Sequence, residues 1–110
     1  MIRQKPIPMG QGQLVYCATP SKILHKKEKI MEFVSKKGYA PFHPFQAFPI
    51  EYFENKKNIE RKKTIEYCLR AIKICDEFWL FGLSEGTLVE LNFAKKLKKP
   101  IKIIRLFEDD

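Results

Sequence analysis

The sequence predicts an α/β protein: an open parallel sheet of about four strands in the order 2-1-3-4, with helices on both faces. Three observations predict it. The stretch from Glu77 to Leu106 reads as strand, tight turn, helix and strand, which is the βαβ unit of a parallel sheet. Two further short apolar runs, around residues 13–18 and 39–42, alternate with segments of helical periodicity. The 110-residue length suits one core and leaves no room for a second.

The elements follow in chain order. Residues 1–12 carry prolines at 6 and 8 and glycines at 10 and 12, and are expected to form an arm ahead of a single domain over 13–110. Gln13 to Ala18 is the first strand. Thr19-Pro20-Ser21 turns it into a helix, along which Ile23, Leu24, Ile30, Phe33 and Val34 recur at helical spacing and which Gly38 ends. Tyr39 to Phe42 is a short second strand. A Pro-interrupted aromatic loop follows over residues 43–49, and then a short helical piece through Phe53. Asn58 to Ile74 is a helix with Ile65, Cys68, Leu69 and Ile72 as its apolar stripe.

The third strand, Glu77 to Phe81, is stopped by Gly82. Ser84 is a candidate N-cap for a helix running to about Lys99, where Pro100 ends it before the fourth strand, Ile101 to Leu106. In that last helix Val89, Phe93, Ala94 and Leu97 are expected to share the packing face, with Lys95, Lys96 and Lys99 opposite. Glu90 falls among the apolar set. A carboxylate there is costly unless it is used, either by bonding a neighbouring loop or by serving a site.

Alternating strands and helices of this kind make a flavodoxin- or Rossmann-like sheet, in which ligands bind outside the carboxyl ends of the strands. Three segments reach that edge: Ala18-Thr19-Pro20 after strand one, His43 and its loop after strand two, and Gly82 to Thr87 after strand three. Tyr16 and Glu90 are expected to face the same crevice. The helix starts at Ser21 and at Ser84-Glu85-Gly86-Thr87 offer backbone N–H groups to an anion such as a phosphate.

Composition excludes several classes. Hydrophobic content of 45% is that of a folded protein rather than a disordered one, and no apolar run approaches the roughly 20 residues of a membrane span. Met1 to Pro6 lacks the apolar core of a signal peptide, so the expected compartment is cytoplasmic. Cys17, Cys68 and Cys75 have neither zinc-like spacing nor a pairing partner pattern, so no metal or other cofactor is expected. Net charge is +8, but the lysines are spread in pairs over every helix. That distribution suits a solvated surface better than the focused patch a nucleic acid requires.

The residues then reach a resemblance. Val15-Tyr16-Cys17-Ala18-Thr19-Pro20, the strand after Asp76, and Ser84 to Ala94 followed by Lys99-Pro100 resemble the nucleoside 2-deoxyribosyltransferase family, including its 2′-deoxynucleoside 5′-phosphate N-hydrolase branch. The similarity covers about residues 13–106. It implies that Glu90 attacks the sugar C1′ of a nucleoside or nucleotide and that Tyr16 orients it. The strand-end topology makes Ala18, Thr19, Pro20, His43, Gly82, Ser84, Glu85, Gly86 and Thr87 candidates to line the substrate site, and the resemblance adds Cys68. Cys68 stands where that family usually carries an Asp, and Asn92 where a Gly is common. The expected activity is cleavage or transfer of an N-glycosidic bond. The alternative is a non-catalytic nucleotide-binding or sensing domain on the same scaffold. A homo-oligomer, at least a dimer, is expected because the aromatic loop over residues 42–48 leaves apolar surface to cover.

Overall fold

The computed structural model describes residues 13–48 and 58–107, with side chains from residue 62 onward in the second stretch. The expected arm and the short helical piece through Phe53 lie outside the described residues. The elements are β1 (Leu14–Ala18), a 3₁₀ turn (Ser21–Lys26), α1 (Lys27–Lys36), β2 (Ala40–Phe42), α2 (Pro44–Ala47), α3 (Asn58–Ile74), β3 (Glu77–Leu80), α4 (Glu85–Lys96) and β4 (Ile101–Ile103). All four strands are parallel and lie in the order β2-β1-β3-β4, as the sequence predicts.

The pleat divides each central strand between two cores. Tyr16 and Ala18 of β1 with Phe78 and Leu80 of β3 pack under Cys68, Ala71 and Ile72 of α3 and Leu91 and Ala94 of α4. Val15, Cys17 and Trp79 face the other way, against Ile23 and against Ile30 and Val34 of α1. Helices therefore cover both faces. β1 and β3 are buried along nearly their whole length, which accounts for their continuous apolar runs.

Five details depart from the sequence reading. The first helix starts as a 3₁₀ turn in which Ile23 leaves helical geometry (φ −114°, ψ 22°), its side chain buried in the core formed with Val15, Trp79, Ile30 and Val34. A short helix, α2, replaces part of the expected aromatic loop. His43 caps it, and Pro44 occupies its first turn, where a missing N–H costs nothing.

The helix expected to reach Lys99 ends at Lys96. Lys98 adopts φ 58°, and the N–H groups of Lys98 and Lys99 bond the carbonyls of Lys95 and Ala94, a Schellman ending without glycine. The same motif closes α1, there with Gly38 at φ 91° as expected. β4 pairs only through Ile103, not Leu106.

The packing face of α4 is also rotated from expectation. Thr87, Leu91 and Ala94 are buried, whereas Val89 and Leu97 are substantially exposed. The hydroxyl of Thr87 sets this phase by turning inward to bond the carbonyl of Gly82 at 3.0 Å. Glu90 remains on the inner side, between Thr87 and Leu91. Among the described residues no helix is long and apolar enough to cross a membrane.

Candidate functional site

Tyr16 stands on a ladder of aromatic rings laid across the sheet. Its neighbours in register are Phe42 of β2 and Phe78 of β3. The rings stack nearly parallel, with centroids 6.0 and 5.6 Å from that of Tyr16. Fixed in this way, the Tyr16 hydroxyl donates a 2.6 Å hydrogen bond to Oε2 of Glu90. The Cys68 thiol, one layer up on α3, reaches the same carboxylate.

Glu90 is encased by protein except where it opens into a cavity. Burial raises its pKa from 4.5 to about 7, against the lowering effect of the bonds from Tyr16 and Cys68. A helix N-terminus favours the ionised form of a nearby carboxyl group. Glu90 lies in the second turn of α4, beyond the reach of most of that effect, and desolvation wins. At neutral pH the group therefore exchanges between carboxylate and carboxylic acid. Tyr16 shifts in the same sense: burial first, then the adjacent Glu90 charge, hold its phenol well above 10.

The cavity has a volume of about 210 Å³ and sits at the carboxyl ends of β1 and β3. Thr19 and Ser21 form one side, Pro44 and Phe45 a second, Thr64, Ile65 and Cys68 a third, and Ser84 to Thr87 with Glu90 the fourth. Sites that enclose a whole drug-sized ligand run from about 300 Å³ upward. This cavity thus encloses one end of such a ligand, a sugar ring for example, and leaves the rest at its mouth.

The start of α4 is built as a capping box. Ser84 Oγ accepts from the Thr87 N–H at 3.1 Å, and Thr87 Oγ1 accepts from the Ser84 N–H at 2.8 Å. These hydroxyls are committed to the helix. The N–H groups of Glu85 and Gly86, by contrast, precede the first intrahelical bond, donated by Leu88 to Ser84. They are the donors this rim can offer to an oxygen of a ligand.

Of the residues expected at the site, the structure brings Thr19, Cys68, Ser84, Glu85, Gly86, Thr87 and Glu90 to the cavity wall, with Tyr16 directly beneath. Ala18, Pro20, His43 and Gly82 lie behind it. Gly82 meets Pro20 so closely that a Cβ there would fall 2.7 Å from Pro20 Cγ, so its place is one of packing between the two loops.

His43 is buried, and its ring is held from both sides. Nδ1 accepts the Phe45 N–H at 3.3 Å, so Nε2 carries the proton and donates to Thr19 Oγ1 at 2.9 Å. Thr19 passes its own proton to the Cys17 carbonyl at 3.1 Å. Burial, with Lys27 nearby, lowers the His43 pKa to about 4, so the ring stays neutral and positions Thr19 rather than exchanging protons.

Ser21, Pro44 and Phe45, from segments expected at this edge, and Thr64 and Ile65 of α3, which were not, complete the wall. Thr64 was open to discovery, since it precedes Cys68 by four residues and shares its helix face. Among the described residues no cluster of His, Cys, Asp and Glu is arranged to hold a metal ion.

Fold and site together define a parallel α/β domain whose strand-end cleft holds a buried glutamate hydrogen-bonded to a tyrosine. The chain belongs to the family described as a domain of unknown function (DUF7768), whose model matches residues 14–104. No curated protein matches the chain.

Proposed function

We propose that the cleft cleaves or transfers the N-glycosidic bond of a nucleoside, a deoxynucleoside or the corresponding 5′-monophosphate. The observation that carries this reading is the Glu90 carboxyl group, fixed by Tyr16 at 2.6 Å and opening into a cavity sized for a sugar. In its ionised form Glu90 attacks C1′ as the base departs, giving a glycosyl-enzyme ester. Water then releases the free sugar, or a second base completes a transfer. Tyr16 holds Oε2 of the carboxyl group, which opens into the cavity. The Glu85 and Gly86 N–H groups are placed for a sugar hydroxyl or a 5′-phosphate at the rim. The resemblance to nucleoside 2-deoxyribosyltransferases around Tyr16 and Glu90 supports the same chemistry.

The test is release of free base from a panel of nucleosides and deoxynucleoside monophosphates by wild type and Glu90→Gln. Turnover should fall by several orders of magnitude in the variant while the melting temperature does not fall. Activity that merely follows the folded fraction would refute the assignment.

A second reading is favoured by Cys68. A thiol held at about 12 is a poor proton donor, and a site without an acid suits a non-catalytic nucleotide sensor. Nucleotide binding without base release would select that reading.

We also propose a homo-oligomer acting in the cytoplasm. The apolar surface that calls for cover is not the aromatic loop, where Phe42 and Phe48 pack partly onto the core, but side chains such as Ile103, 73% exposed, and Leu83, 61% exposed. Sedimentation at micromolar concentration distinguishes a dimer from a 13.0 kDa monomer.

A further inference from the structure

The cavity at Glu90 has an electrostatic character opposite to that of the chain. Lysine and arginine outnumber aspartate and glutamate by 21 to 13, for a net charge of +8. Among the described residues, however, the wall carries Glu85 and Glu90 and no lysine or arginine. A basic protein that keeps every described cation off its cavity wall, opens the Glu90 carboxyl group into the cavity and carries a second carboxylate, Glu85, at the rim favours positive charge there. Phe45 adds an aromatic wall, a surface on which a flat cation is further stabilised.

Protons point the same way. A neutral base leaves a sugar as an anionic heterocycle unless an acid protonates it. Each described group near Glu90 fails as that acid for its own reason. Cys68 faces Glu90 from α3, but burial holds its thiol at about 12. The Tyr16 proton is committed to Glu90 itself. The His43 Nε2 proton is committed to Thr19, behind the wall. Glu85 is exposed at the rim and lies five residues before Glu90, turned about 140° around the helix axis from it. Thr64 and Ile65, which share the α3 wall with Cys68, have no acidic proton to give.

We infer that the preferred substrate is a nucleoside whose base bears a fixed positive charge, such as a pyridinium riboside or a 7-alkylpurine nucleoside. This inference rests on Glu90 acting as the nucleophile. With such a substrate the electron pair of the breaking C1′–N bond neutralises the ring cation, and the base departs as a neutral molecule with no proton supplied. One Glu90 oxygen forms the new bond to C1′. Water then attacks C1′, its proton passes to solvent, and the carboxylate is regenerated. No oxidant, reductant or metal enters the balance.

The experiment measures base release by the wild-type chain from 7-methylguanosine and guanosine, each as ribo- and 2′-deoxyribonucleoside, and from nicotinamide riboside. Every rate is divided by its rate in buffer, since the cationic nucleosides are intrinsically more labile. The enhancement should be larger for the methylated member of each pair by about 100-fold. The pyridinium arm tells which cationic base the cavity prefers, and cleavage of either cationic class over guanosine supports the inference. Cys68→Asp, which adds an acid opposite Glu90, should raise the guanosine rate relative to the 7-methylguanosine rate by about tenfold or more. Guanosine enhanced as strongly as every cationic substrate would overturn the inference and leave N-glycosidic cleavage standing. No base released from any of them would overturn both.

Discussion

Tyr16 and Glu90 are 74 residues apart in sequence and joined by a 2.6 Å hydrogen bond that ties the centre of the sheet to the helix above it. The phenol is immobilised between two other rings, so the bond fixes the carboxyl group rather than following it. It is also among the interactions that favour the charged form of Glu90 in a setting where burial opposes that form.

Tyr16→Phe keeps the ring stack and removes only this bond. The Glu90 pKa should then rise above its present value of about 7, because a lowering contribution is lost while burial remains. In a base-release assay the acidic limb of the pH–rate profile should move to higher pH. Activity at pH 7 should fall more than activity at pH 9. An unshifted limb would mean that another group controls the profile.

Glu90 also makes stability depend on pH. Its folded-state pKa of about 7 lies above the unfolded value of 4.5, so the folded chain binds the extra proton between those limits. The contribution to stability is fully present below pH 4.5 and is lost as pH rises through 7. The difference is on the order of 3 kcal/mol. Glu90→Gln has no charge to bury and should escape that loss. Its melting temperature relative to wild type should therefore be higher at pH 8 than at pH 4.5, and parallel melting curves across that range would contradict the burial of the charge.

The arrangement of strands was legible because burial writes itself into hydropathy: β1, and β3 after Glu77, are apolar runs, and the helices between them keep their period. Glu90 was legible for the same reason, as a carboxylate out of phase with its lysines. Its protonation state was not, since it depends on how completely α3, α4 and the sheet enclose it. The phase of α4 was misread because Thr87 looks like a surface residue in sequence. In the structure its hydroxyl satisfies Ser84 and Gly82 at once, which turns Thr87 inward and carries Val89 and Leu97 outward. His43 required knowledge of what lies behind the loop: Thr19 comes from another strand end, 24 residues earlier.

The early end of α4, closed by Lys98 in the left-handed conformation, left no glycine signal to read. A lysine at φ 58° is strained relative to glycine by about 1 kcal/mol. Lys98→Gly should stabilise the chain by that amount, visible as a higher denaturant midpoint with an unchanged slope. A lowered midpoint would show that the Lys98 side chain contributes more than its backbone costs.

Gly82 and Pro20 hold the loops after β3 and β1 together, and their contact tests whether the cavity rim depends on that approach. The backbone of Gly82 lies outside the left-handed region, so alanine meets no conformational penalty there. Its Cβ would instead stand 2.7 Å from Pro20 Cγ and 3.0 Å from Cδ. The proline ring cannot rotate aside, so the loops must separate. Overpacking of this kind costs about 1–3 kcal/mol. Pro20 is followed directly by Ser21 and preceded by Thr19, both on the cavity wall, so the displacement should raise KM in a base-release assay more than it lowers kcat. Pro20→Ala removes the ring atoms that the new methyl group would strike. In that background Gly82→Ala should cost much less than in wild type, a coupling that a double-mutant cycle of chemical denaturation measures directly. Equal costs in the two backgrounds would mean that the alanine acts somewhere other than on Pro20, and that the approach of the two loops is incidental to the shape of the site.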